Sequence, residues 1–185
     1  MTFNIGLLIT ALLAIASIFW STLRTGSSPV PTPASVRQAM LSLMPGHLPE
    51  LKEPVVFELG SGWGGMAFAL ARRFPEQPVI GIEISILPWL FSRLRLLVQP
   101  QPNLHFYRKD FMHADLTHAA LVVCYLLPGP MEKLARKLLM EMAPGGLVLS
   151  NTFAIRGWRP LDQITAPDLY RSEVYLYEIG NHQPD

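Results

Sequence analysis

The chain has one cysteine, Cys124, so no intrachain disulfide can form, and its five histidines are scattered along the sequence. No Cys or His spacing suits a zinc site, and no metal site is expected. Charge is also scarce. Asp, Glu, Lys and Arg make up 16% of the 185 residues and nearly cancel, leaving a formal charge of +1. That balance gives no electrostatic case for nucleic acid as the main partner. Internal repeats are absent as well. Half of the residues are hydrophobic, which excludes disorder, and the length allows one domain with a sizeable core rather than two.

The excess hydrophobicity lies in residues 3–23, FNIGLLITALLAIASIFWSTL, which hold no charged side chain. At ~1.5 Å per residue a helix of that length spans about the 30 Å of a bilayer core. Trp20 near one end suits the membrane interface. A cleaved signal peptide usually starts with basic residues, and none precedes this segment. An uncleaved transmembrane anchor is the leading expectation, with a signal peptide or a helix packed on the domain as alternatives. Arg24 and Arg37, the first basic residues, follow the segment. The positive-inside rule then gives a single-pass membrane protein whose domain faces the cytoplasm. Residues 25–33, TGSSPVPTP, read as an extended linker. Residues 24–53 thus join linker and a short amphipathic helix, 34–43, to a domain over 54–180.

Within that domain strands alternate with helix-periodic segments. Strands are predicted over 54–59, 79–84, 104–109, 119–127 and 147–155. The fourth is almost continuously apolar, as for a central parallel strand. The helix after the first strand places Ala67, Leu70, Ala71 and Phe74 on one face. A second, over 88–98, is expected to place Leu90, Phe91, Leu94 and Val98 on one face, and a third, over 131–142, to turn Met131, Leu134, Leu138 and Met142 inward. Two further strands, 158–164 and 173–179, leave no room for a crossover helix, so an antiparallel pair should close one edge. The expected fold is α/β: a doubly wound, mainly parallel, seven-stranded Rossmann-like sheet with an antiparallel C-terminal pair. Ligands in such folds bind at the C-terminal edge of the strands.

The candidate chemistry starts at the loop ELGSGWGG. Gly60, Gly62 and Gly64 follow a strand directly, where glycine lets the backbone turn sharply and approach a ligand, and the next helix offers its N-terminal amides. Gly60, Gly62 and Gly65 also satisfy GxGxxG, so a nicotinamide-binding domain has to be weighed. Two carboxylates separate the readings. Glu58, at the strand end, suits a cationic amino group and would repel a pyrophosphate. Glu83, ending the second strand, is placed to accept both hydroxyls of a ribose, which NAD shares. Glu58 therefore discriminates. Asp110 could instead cap a turn, Trp63 could be only a hydrophobic lid, and Cys124 reads as buried core rather than nucleophile.

ELGSGWG, GIEIS and RKDF, in that order, resemble the cofactor motifs of class I S-adenosylmethionine-dependent methyltransferases. The resemblance covers residues 29–179. It implies S-adenosyl-L-methionine as cofactor, with Glu58, Gly60, Ser61, Gly62, Trp63 and Gly64 around its methionine part. It also implies Glu83 and Ile84 at the ribose, and Asp110 with Phe111 at the adenine. Together with the apolar segment and PVPTP, the pattern is similar to the small membrane-anchored protein-lysine methyltransferases of mitochondria, which modify integral membrane proteins. In those proteins a Pro/Thr segment precedes the loop, corresponding here to Pro31, Thr32 and Pro33. Trp63 departs from the family, which usually has an acidic residue there.

The resemblance implies methyl transfer to a nucleophile that the enzyme positions and desolvates. A lysine acceptor must also reach its neutral form. Tyr125, after the fourth strand, is the first candidate for positioning an amine, with an ordinary interior tyrosine as the alternative. Asn151, Thr152 and Phe153 are weaker candidates. The acidic-or-Asn, Pro-Pro-aromatic signature of amide and nucleobase N-methyltransferases is absent, which argues against a nucleic-acid acceptor. A small membrane-associated acceptor, or a non-catalytic S-adenosylmethionine-binding module, remain as alternatives.

Overall fold

The computed structural model describes residues 4–9, 12 and 31–180. Seven strands, β1 Val55–Leu59, β2 Val79–Glu83, β3 Leu104–Arg108, β4 Ala119–Cys124, β5 Leu147–Asn151, β6 Asp162–Thr165 and β7 Glu173–Glu178, form one sheet in the order β3-β2-β1-β4-β5-β7-β6. The first five run parallel, β7 is antiparallel to β5, and β6 is antiparallel to β7. This is the expected mainly parallel sheet with an antiparallel edge pair.

Period-2 alternation divides the strands between two cores. Val56, Leu121, Val123 and Leu149 face α1 (Ala34–Leu43) and α2 (Gly65–Arg73), with Trp89 and Leu96 of α3 (Ile86–Val98) packed against that cluster. Phe57, Leu59, Val122 and Val148 face α4 (Pro128–Glu141) on the other side. All six residues of β4 are buried, as a strand covered on both faces requires. The inward residues expected of α2 and α4 are buried, with Phe74 at the α2 C-cap and Met142 at that of α4. Burying a side chain such as Phe68 contributes roughly 1.5–3 kcal/mol.

Four expectations need correction. β4 ends at Cys124 rather than 127, because its neighbours supply their last partners at Leu59 and Ser150. Helix α4 starts earlier than expected, at Pro128, since proline tolerates the first helical turn, where its missing N–H has no partner to lose. β5 ends at Asn151 rather than 155, where Thr152 takes φ 66° and turns the chain out of the sheet. β6 covers Asp162–Thr165, and Trp158 instead packs edge-on against Tyr177 at 5.8 Å.

The expected apolar face of α3 forms and is turned outward. The helix's buried residues are Pro88 and Ser92, whereas Leu90, Phe91, Leu94 and Val98 are exposed. Ser92 Oγ donates to the carbonyls of Gly62 and Pro88, so hydrogen bonding to the loop sets which side of this helix faces the sheet.

The transmembrane helix expected over residues 3–23 lies mostly outside the described residues. Of that segment, residues 4–9 and 12 are helical, and Ile5, Leu7, Leu8, Ile9 and Leu12 are exposed. Among the described residues no helix is long and apolar enough to cross a membrane.

Candidate active site

Parallel register brings the ends of β1, β2 and β4 to one edge, and a cavity of about 1030 Å³ opens there. That volume suits a cofactor-sized ligand. Thr32, Glu58, Gly60, Ser61, Gly62, Trp63, Glu83, Ile84, Asp110, Phe111 and Tyr125 all line it. Gly64 does not belong to that lining. It precedes α2 with φ 76°, and a Cβ there would lie 2.8 Å from both Phe106 and Ser92 Oγ. Glycine there lets the loop close against α3 and β3.

Glu83 fixes the loop. One carboxylate oxygen accepts the Gly62 amide at 2.8 Å and the other the Ser85 amide at 2.7 Å. Each oxygen retains a further lone pair, so the carboxylate can hold the loop and still accept from ligand hydroxyls. Ser61 Oγ is buried without a hydrogen-bond partner.

Glu58 is the electrostatic anomaly. Its Oε2 is buried and has no hydrogen-bond partner. Burial first, and then the neighbouring Glu83 charge, push its carboxyl up to about 8, against the opposing effects of the Ala67 amide and the Arg37 guanidinium. An unsatisfied buried carboxylate oxygen at a cavity wall is what a cationic ligand group would complete.

Arg37, absent from the sequence motifs, lines the same cavity. Its guanidinium donates to the Thr32 carbonyl, tying the Pro/Thr segment to α1. Arg72 and Arg95 also line the wall, and Arg95 is held below its usual range by burial and then by the Arg72 and Arg37 charges. Three guanidinium groups this close favour an anionic ligand group. No local pattern announced them, since they come from α1, α2 and α3.

Asp110 caps the short 3-10 turn Phe111–His113, its Oδ1 accepting the Met112 amide at 2.9 Å, and it also lines the cavity. Trp63 meets Phe91 edge-on at 5.4 Å along the wall. Cys124 is core: it is buried and its thiol is pushed up to about 12 by desolvation, which keeps it protonated and unreactive.

At the other end Tyr125 is half-exposed and stacks on Phe153 with centroids 6.1 Å apart and planes 17° from parallel. Asn151 is buried, and its side-chain oxygen accepts from Thr152 Oγ1. The Ile155 amide donates to the buried Tyr177 hydroxyl at 3.0 Å, fixing the segment that carries Phe153. Glu132, Lys133 and Arg136 of α4 line the same cavity. Among the described residues no group of His, Cys, Asp and Glu could hold a metal ion.

A sequence model of the ANTKMT methyltransferase domain matches residues 58–162, more than half of the chain. The chain belongs to this methyltransferase family. It is 32% identical to a protein-lysine N-methyltransferase of Saccharolobus islandicus (strain REY15A), over 83% of this chain and 94% of that protein. It is 28% identical to the adenine nucleotide translocase lysine N-methyltransferase of Mus musculus, over 80% of this chain and 66% of the other. Among solved structures, an RNA methyltransferase from Salinibacter ruber in complex with S-adenosyl-L-homocysteine superimposes with a TM-score of 0.70 at 30% identity, covering 84% of this chain and 97% of that one. This methyltransferase uses S-adenosyl-L-methionine, and the cavity chemistry fits that zwitterionic cofactor: an orphaned carboxylate oxygen at Glu58 and guanidinium groups nearby.

Proposed function

We propose that the methyltransferase transfers methyl groups to the lysine side chain of a protein, and that the substrate is membrane-associated. The observation that carries this reading is the similarity, over 83% of this chain and 94% of the other, to a relative named as a protein-lysine N-methyltransferase. The second named relative acts on adenine nucleotide translocase. The apolar, uncharged residues 3–23 would tether the domain at a membrane, facing the cytoplasm by the positive-inside rule. Tethering raises the effective concentration of a membrane-bound acceptor.

In this reading Glu58 takes the cofactor's ammonium and Arg37 its carboxylate, so the opposed charges of the wall read the zwitterion in one orientation. Glu83 accepts from the ribose hydroxyls, with Ile84 beside it, and Asp110 and Phe111 border the adenine. The backbone of Gly60, Ser61 and Gly62 follows the methionine part, Trp63 closes over it, and Thr32 with Pro31 shapes the wall. When bound, S-adenosylmethionine supplies a methyl on a sulfonium. The amine lone pair forms the new N–C bond as the S–C bond breaks, and its electron pair stays on sulfur.

The chain's own contribution is positioning. The stacked Tyr125 and Phe153 rings offer an aromatic surface to the acceptor's alkyl stem and ammonium. Glu132, which lines the same cavity, is a candidate to receive the proton the ammonium must lose before attack.

An RNA acceptor is the second reading, supported by the naming of the Salinibacter neighbour and by Arg37, Arg72 and Arg95. Those three groups are also explained by the cofactor carboxylate, which leaves the lysine reading in front. Mass spectrometry of membrane proteins from cells with and without the gene tests it. At least one lysine should lose its methylation. Unchanged lysines together with a lost RNA methyl mark would replace the reading by the second.

A further inference from the structure

Helix α3 is apolar on nearly every side, with Arg93, Arg95 and Ser92 its only polar side chains besides the Trp89 ring nitrogen. A helix of that composition belongs in a protein core or against hydrocarbon. Yet only Pro88 and Ser92 are buried, while Ile86, Leu90, Leu94, Leu97 and Val98 form one outward face, the last two 77% and 80% exposed. No described residue covers it. A contiguous exposed patch of this kind marks an interaction surface.

Its charge surroundings narrow the partner. Between Glu83 and Asp110 the sequence holds no acidic residue. Exposed Arg93 flanks the face on the helix, and exposed Arg108 and Lys109 lie at the end of β3 beside it. Leucine and valine on the face with Arg93, Arg108 and Lys109 beside it is the pattern of a helix that lies in the headgroup region of an anionic bilayer.

We propose that the outward face of α3 docks on an anionic lipid bilayer. The proposal goes beyond the tether of residues 3–23 and does not depend on it, since the face is built by the folded domain. The two are compatible, because Ile5, Leu7, Leu8, Ile9 and Leu12 are likewise exposed. Docking has a consequence for the site: Ile84 and Phe91, at the start of this surface, also line the cavity. A bilayer under α3 sets the cavity wall at the membrane surface, where a residue just outside the lipid can reach it.

The test uses the full chain carrying an environment-sensitive thiol label at Leu97→Cys, with Met140→Cys on exposed α4 as the reference position. Buried Cys124 stays unlabelled. The protein is reconstituted into phosphatidylcholine vesicles with and without phosphatidylglycerol. The expected result is a blue shift at position 97 with the anionic vesicles, smaller without phosphatidylglycerol, reduced by Arg93→Glu, and absent at position 140. A label at 97 that stays in water on both vesicles overturns the proposal. So does an equal shift at both positions, which would report general immersion or aggregation. A shift that grows with protein concentration before lipid is added assigns the face to a second copy and also overturns it.

Discussion

The two ends of the cavity are built differently. At the cofactor end Glu58, Ser61 and Glu83 are buried, and both Glu83 oxygens are held by backbone amides within the strand–loop–helix unit and its neighbour β2. At the acceptor end Tyr125 is half-exposed and its partner Phe153 sits beyond the end of β5, just past the strained Thr152. The first end is buried and tied by hydrogen bonds, as a receptor for one small molecule would be. The second is open, which suits an acceptor that brings part of its own binding surface.

Substitutions should separate the two ends. The largest effect is expected for Glu83→Ala, which leaves the buried amides of Gly62 and Ser85 without acceptors and releases the loop. Cofactor affinity should fall by about a hundredfold or more, the equivalent of roughly 3 kcal/mol, read by calorimetry. Retained affinity would break the claim that the loop is held from β2.

Glu58→Gln should cost about ten- to a hundredfold in cofactor affinity, through loss of a charge-assisted hydrogen bond. It carries a pH signature as well. In the free protein Glu58 is held protonated to about 8, so its contribution to stability is full below the ordinary glutamate range and is lost as pH rises through about 8. Binding of a cofactor ammonium requires the ionised form. Below pH 8 binding should therefore release a proton, visible as a dependence of the calorimetric heat on buffer ionisation enthalpy. Glu58→Gln should abolish that dependence and make the free protein more stable near neutral pH.

Tyr125→Ala should lower kcat/KM by about tenfold while leaving cofactor affinity unchanged, since the ring surface it offers an ammonium is worth ~1–2 kcal/mol. A matching loss of cofactor affinity would move Tyr125 to the other end of the cavity. The smallest effect belongs to Trp63→Ala, which removes the edge contact with Phe91, worth ~0.5–1.5 kcal/mol. A few-fold weaker cofactor binding is expected, and no change would make Trp63 a lid without a binding role.

The legibility of the sequence follows the same division. The sheet, its antiparallel edge and the line Glu58–Gly60–Gly62–Glu83 were readable because strand period and loop chemistry are local, and these residues reach the cavity on adjacent strand ends. The tight packing of Gly64 against Phe106 and Ser92 is tertiary and leaves no local trace in the sequence. Arg37, Arg72 and Arg95 were not legible as site residues, because only folding brings three separate helices to one wall. For helix α3 the sequence shows the apolar face but not its direction, because an apolar stripe does not say what lies against it. Here Ser92, bonded to Gly62 and Pro88, faces the loop while Trp89 and Leu96 pack on the core, and Leu90, Leu94 and Leu97 are left outside.

The central claim is that the open end receives a lysine. Its most direct test incubates the purified full chain with methyl-labelled S-adenosylmethionine and a membrane fraction, then hydrolyses the labelled product to amino acids. The account predicts label in methylated lysine, resistant to ribonuclease and to lipid extraction. Label that ribonuclease releases, or that follows the lipids, would contradict it.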